Sequence, residues 1–101
     1  MATNTTVLFR GAATTTVGTT LYTVPSGRTA IVSNIAVTNT SGSAQTFTIA
    51  LNGTALHTTA ALAANSTAYI DLKQVLAASN TITGGASATS VNFHISGIEV
   101  F

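Results

Sequence analysis

Cysteine is absent from the 101-residue chain, so disulfides, thiolate zinc sites and cysteine nucleophiles are excluded, and stability has to come from packing and association. Charge is nearly absent as well: charged residues make up 5%, against about 25% in ordinary globular chains. Three basic and two acidic residues leave a formal net charge of +1. Arg10, Arg28 and Lys73 are scattered, and holding a phosphate backbone takes a cluster of such residues. Nucleic acid is therefore not an expected partner. No run reaches the ~18 apolar residues of a membrane span, and Met1 to Gly11 carry neither a basic nor an apolar signal region. Neither membrane insertion nor secretion through a signal peptide is expected. The N-x-Ser/Thr triplets starting at Asn4, Asn39, Asn52 and Asn65 are what abundant Asn and Thr produce by chance.

What remains is apolar and β-branched. Hydrophobic residues make up 46% and the mean hydropathy is +0.48, which sets the chain apart from disordered sequences. Its length fits one domain with a modest core. A free monomer keeps itself soluble with interspersed charge, but here Thr, Ser, Asn and Ala must make up most of the surface. Such a surface is cheap to desolvate, and interface cores are similarly poor in Lys, Glu and Asp. The composition points to a subunit whose faces are covered by neighbours; the alternative is simply a Thr-rich soluble sandwich.

Along the chain, short stretches alternate with period two between Gly, Asn and Ser clusters, and no stretch sustains helical periodicity. Strands are expected at Val7 to Arg10, Thr19 to Val24, Ala30 to Asn39, Thr46 to Leu51, Thr54 to Thr58, Thr67 to Lys73, Thr81 to Thr83 and Val91 to Phe101. In the third of these, Ile31, Ser33, Ile35 and Val37 are expected on one face and Ala30, Val32, Asn34, Ala36 and Thr38 on the other. Pro25-Ser26-Gly27 should turn the chain with Pro25 at the second position, and Asn52-Gly53 should form a type I′ hairpin. Ala68, Ile70 and Leu72 should face inward, with Tyr69, Asp71 and Lys73 outward. Gln74 to Ala78 read as a helical or irregular turn, and Gly84-Gly85 with Ser87 to Ser90 as a loop. Ile98 and Val100 are out of phase with Val91, Phe93 and Ile95, so a bulge is expected at Gly97. The fold class is all-β: a single antiparallel β-sandwich or jelly-roll of about seven to eight short strands. Residues 1–18 form an N-terminal strand or arm with a small-residue connection and residues 19–101 the sandwich, one domain overall.

The catalytic inventory is thin. His57, His94, Asp71 and Glu99 are the titratable groups available near neutrality or below, and no nucleophile, base and orienting group are apparent together. The two histidines are better explained by surface or inter-subunit hydrogen bonding. A three-fold assembly that gathered one histidine from each copy is the weaker, metal-binding alternative. No phosphate-cradling glycine motif occurs, and the aromatic residues read as core rather than as a stacking platform. No cofactor, metal or enzymatic activity is expected.

The run Leu21-Tyr22-Thr23-Val24-Pro25-Ser26-Gly27-Arg28-Thr29-Ala30-Ile31-Val32 resembles a broad group of small virion proteins of tailed bacteriophages. The likeness continues through Asn39 to Ile49, Leu62 to Thr67 and Ile95 to Phe101, covering residues 19 to 101. The resemblance implies a non-enzymatic virion component, assembled in the host cytoplasm. Foremost is a decoration or cement protein on the capsid, its partners the major capsid protein or other virion proteins and further copies of itself, with a trimer favoured. The alternative is a tail, neck or fibre-associated module that binds a receptor or glycan through loops such as Asn39 to Ser43 or Gly84 to Ser90. Under the first reading the polar arm Met1 to Thr6, with Thr3, Asn4, Thr5 and Thr6, would order on a neighbour, and Arg28, Tyr69, Asp71 and Lys73 are further candidate interface residues.

Overall fold

The computed structural model describes residues 2–101. Its strands are β1 (Thr3–Ala12), β2 (Thr20–Thr23), β3 (Thr29–Asn39), β4 (Gln45–Leu51), β5 (Thr54–Leu62), β6 (Thr67–Leu76), β7 (Thr81–Ala86) and β8 (Val91–Val100). No helix occurs among the described residues, and hence none long and apolar enough to cross a membrane. The strands form two four-stranded antiparallel sheets, in the order β1-β8-β3-β6 and β2-β7-β4-β5. We call them sheet A and sheet B.

The pairings β4 with β5, β3 with β6, β2 with β7 and β1 with β8 are nested. The chain is one long hairpin, folded at the β4–β5 turn and rolled up so that β3 meets β8 and β4 meets β7. This is the eight-stranded jelly-roll form of the expected sandwich. Its innermost turn is the one the sequence marks most strongly: Asn52 and Gly53 have φ of 48° and 81°, the pair of positive values a type I′ hairpin needs.

Alternation builds the core. Phe47 and Ile49 of β4, Ile82 of β7, Ile35 and Val37 of β3 and Val91, Phe93 and Ile95 of β8 are all buried between the sheets. Phe47 and Phe93 meet edge to face, ring centroids 6.4 Å apart, a favoured aromatic geometry. At one end Asn39 is 1% exposed, yet its amide is satisfied. Nδ2 donates to the carbonyls of Ser43 (2.8 Å) and Ala63 (3.2 Å), and Oδ1 accepts from the Ser41 backbone N–H (3.0 Å) and hydroxyl (2.8 Å). The connection after β3 is thereby pinned to the end of β5.

Several local expectations need correction. The phase change expected in the last strand occurs in its neighbours. β8 alternates without interruption, burying Gly97 and Glu99 and turning Ile98 and Val100 outward. Leu8 is the extra residue of β1 between Val7 and Phe9, opposite the Ser96–Ile95 step of β8, and Ser33 that of β3 between Val32 and Asn34, opposite the Gly97–Ser96 step. The bulge in β3 puts Ala30 and Val32 on the same buried face as Ile35 and Val37, so the expected split between two faces does not hold. Gly97 is required because a Cβ there would lie 2.3 Å from the Ile31 carbonyl oxygen and 3.0 Å from Leu8 Cδ1. At the other reversal, the Arg28 N–H donates to the Pro25 carbonyl at 3.2 Å. Pro25 is therefore the first turn residue and Gly27, with φ of 78°, the third, as in a type II turn.

Strands also run longer than local signals suggest. β6 continues to Leu76 because Val75 and Gln74 pair with Ile31 and Val32, which replaces the helical or irregular turn. β5 continues to Leu62 past a break at Thr59, whose φ is 47°. β7 takes in Gly84 and Gly85. A Cβ on Gly85 would sit 2.5 Å from the Thr16 carbonyl oxygen, so glycine there admits the β1–β2 connection crossing sheet B rather than opening a loop. The arm is not free: Thr3, Asn4, Thr5 and Thr6 pair with Val100, Glu99, Ile98 and Gly97 as the start of β1. Met1 lies outside the described residues.

Candidate assembly surfaces

The uninterrupted alternation of β8 turns Glu99 inward at one end of the sandwich, 7% exposed. Tyr22, reaching across from β2 in sheet B, donates its hydroxyl to Oε2 at 2.5 Å, and Arg28 donates Nη1 to Oε1 at 2.9 Å. The Arg28 guanidinium lies 3.9 Å from the centroid of the Phe101 ring, within cation–π range. Burial, and then the hydrogen bond to the Glu99 carboxylate, hold the Tyr22 hydroxyl well above the ordinary phenol range. Both Glu99 oxygens are thus committed to protein donors, and the cluster ties the two sheets together at that end.

The outer face of sheet A carries the groups that remain open. Thr5, Ile98, Ile31 and Val75 stand in one row across the four strands, and Arg10, His94, Ala36 and Tyr69 in another. In the second row Arg10 Nε donates to His94 Nδ1 at 3.2 Å. The bulges leave a shallow groove of about 450 Å³ lined by Thr5, Thr6, Val7, Ser33, Ser96 and Ile98 together with Gly97. Ser33 also borders a neighbouring recess of about 530 Å³ formed with Asp71, Leu72 and Lys73. Asp71 accepts from Asn34 Nδ2 at 3.3 Å. Among the described residues the one salt bridge is Arg28 to Glu99, so neither Asp71 nor Lys73 has an opposite charge to pair with.

Sheet B is the reverse. None of its strands contains Lys, Arg, Asp or Glu. Register places Thr46, Thr48 and Ala50 of β4 on its outer face beside Ala61 and Ala55 of β5 and Thr83 of β7, all neutral and small. His57 of β5 faces inward opposite Ile49, its ring 5.6 Å from that of Phe47, which is a packing role.

The candidate interface residues therefore fall into separate groups. Thr5 and Thr6 share a groove next to the recess that holds Asp71 and Lys73; Tyr69 stands on the same β6 face, 75% exposed. Thr3 and Asn4 sit at the far end of β1, Asn4 opposite Glu99. Arg28 is engaged with Glu99 and Phe101 and is not available to a partner on the same terms. Of the loops considered for receptor binding, Asn39 is buried and Gly84 and Gly85 lie within β7. Nothing in the local sequence around Tyr22 or Glu99 marks them as partners. Continuing the alternation Val91, Phe93, Ile95 through Gly97 to Glu99, without a bulge, is the signal that finds the carboxylate inside. Compared with known protein families and with curated proteins, the chain matches none.

Proposed function

We propose that this chain is a non-enzymatic virion structural subunit, a decoration or cement protein that stabilises a bacteriophage head by bridging capsid subunits. The observation that carries this reading is the distribution of charge. Arg10, Arg28, Asp71, Lys73 and Glu99 all lie in sheet A or the turn entering it, and sheet B has none. An outer face of Thr and Ala with no ion to desolvate, crossed at Gly85 by the β1–β2 connection, suits a repeated, moderately sized contact, and repetition over a lattice turns weak contacts into firm attachment. A homo-oligomer would present several such faces together. The major capsid protein is the partner expected beneath them.

The test is to mix purified protein with heads and with tails that lack it, and to sediment each. Saturable binding to heads in a fixed ratio to capsid subunits is the expected result. Binding confined to tails, or to host cells, would replace the cement reading with a tail, neck or fibre-associated module.

A further inference from the structure

β6 is one of the two edge strands of sheet A, β1 being the other, and runs ten residues without proline. Natural edges of this length are usually blunted. The only devices here are Lys73 and the irregularity where Leu72 and Lys73 face Ser33. The outward side chains of β6 follow the order Thr67, Tyr69, Asp71, Lys73, Val75. Asp71 and Lys73 flank Leu72 at equal distance in sequence, and Tyr69 and Val75 flank it at equal distance further out. Tyr69 and Val75 are also the two most exposed large hydrophobic residues among those described, at 75% and 66%.

We propose that β6 pairs antiparallel with β6 of a second copy of this chain about a two-fold axis at Leu72, joining the two A sheets edge to edge. In that register Asp71 of each copy stands opposite Lys73 of the partner subunit, and Tyr69 opposite Val75 of the partner subunit. Directly opposed residues of an antiparallel pair share a face, and opposite charges and aromatic–β-branched pairs are the favourable combinations there. Sliding the axis one residue either way puts Asp71 opposite Asp71 of the partner subunit, or Lys73 opposite Lys73 of the partner subunit. The charge pattern thus selects one register. It also explains why two opposite charges stand unpaired on one strand of a chain with so few: the bond each lacks is supplied by the other copy. The contact is isologous and closes on itself. It does not depend on the virion reading, and its failure would leave that reading standing.

The test is sedimentation equilibrium of the purified chain, with charge-swapped variants. The wild type should dimerise, and more weakly as salt is raised. Lys73→Asp and Asp71→Lys should each weaken the dimer about tenfold or more by opposing like charges, with circular dichroism and Tm near the wild type because both side chains face solvent. The double swap, Asp71→Lys with Lys73→Asp, should restore dimerisation. Since the native chain has no cysteine, Tyr69→Cys combined with Val75→Cys should give an intermolecular disulfide on oxidation. A monomer at all concentrations, or an oligomer that neither single swap weakens, would overturn the proposal. So would failure of the double swap to recover what the single swaps lose.

Discussion

Glu99 shows how much one side chain carries in a molecule with few charges. Its carboxylate is nearly enclosed and serves two donors, Tyr22 from the opposite sheet and Arg28 from the turn before β3. Removing it leaves the half-buried Tyr22 hydroxyl without its acceptor, whereas the partly exposed guanidinium is screened by water. Glu99→Ala should therefore cost about 2–3 kcal/mol and Tyr22→Phe about 1 kcal/mol in urea unfolding. Tyr22 also sets a pH dependence. The folded state holds its proton more tightly than the unfolded state, whose tyrosine releases it near the ordinary value of about 10. The contribution is fully present below that pH and is lost progressively as pH rises above it. Wild type should lose stability more steeply than Tyr22→Phe in alkaline unfolding curves; parallel curves would show that the Tyr22 hydroxyl is not coupled to folding.

Among the elements, the bulged level of sheet A fixes the shape of the outer face. Leu8 of β1 and Ser33 of β3 are both extra residues beside Ser96, and the groove at Thr5, Ser33 and Ser96 is their consequence. Gly97→Ala drives a methyl group into a backbone carbonyl, which cannot swing aside as a side chain would, and should cost about 2–3 kcal/mol. Gly18→Ala, with no atom within 4 Å of the added carbon, should change stability by less than about 0.5 kcal/mol. Deleting residues up to Thr6 removes the rungs from Thr3 to Thr6 along β8, so it should lower Tm by about 4–8 °C for each kcal/mol lost. A truncated chain with unchanged Tm would instead restore the picture of an arm that orders only on a neighbour. These elements also mark how far the sequence could be read. Local chemistry sufficed for the Asn52-Gly53 hairpin and for the faces of Tyr69, Asp71 and Lys73. It could not locate the bulges, because an extra residue in β1 or β3 is defined by what lies opposite it. For the same reason Gly84-Gly85 imitates a loop: what calls for glycine there is Thr16, from a distant part of the chain. Thr3 to Thr6 are too polar to announce a strand and become one only because β8 offers them a partner.

On the scale of the whole molecule, the rolled hairpin sorts charge to one side. The described residues extend 46 × 21 × 18 Å, with sheet A bearing every ionised group or lying next to it and sheet B bearing none. The two faces are accordingly suited to different neighbours: sheet A's β6 edge to a second copy through matched charges, sheet B's outer face to a neutral protein surface. A carboxylate placed on that face, as in Ala61→Glu at an exposed position opposite Thr46, should abolish binding to heads while leaving Tm within a few degrees, read by sedimentation of the mixture and by thermal unfolding of the free chain. Attachment alone does not make a cement protein, since the central claim is that the bound subunit holds the shell together. The decisive measurement is the rupture temperature of heads lacking this protein, compared with the same heads saturated with it. A clear upward shift that grows with occupancy is the predicted result. Heads that bind the protein stoichiometrically and still rupture at the undecorated temperature would contradict the account.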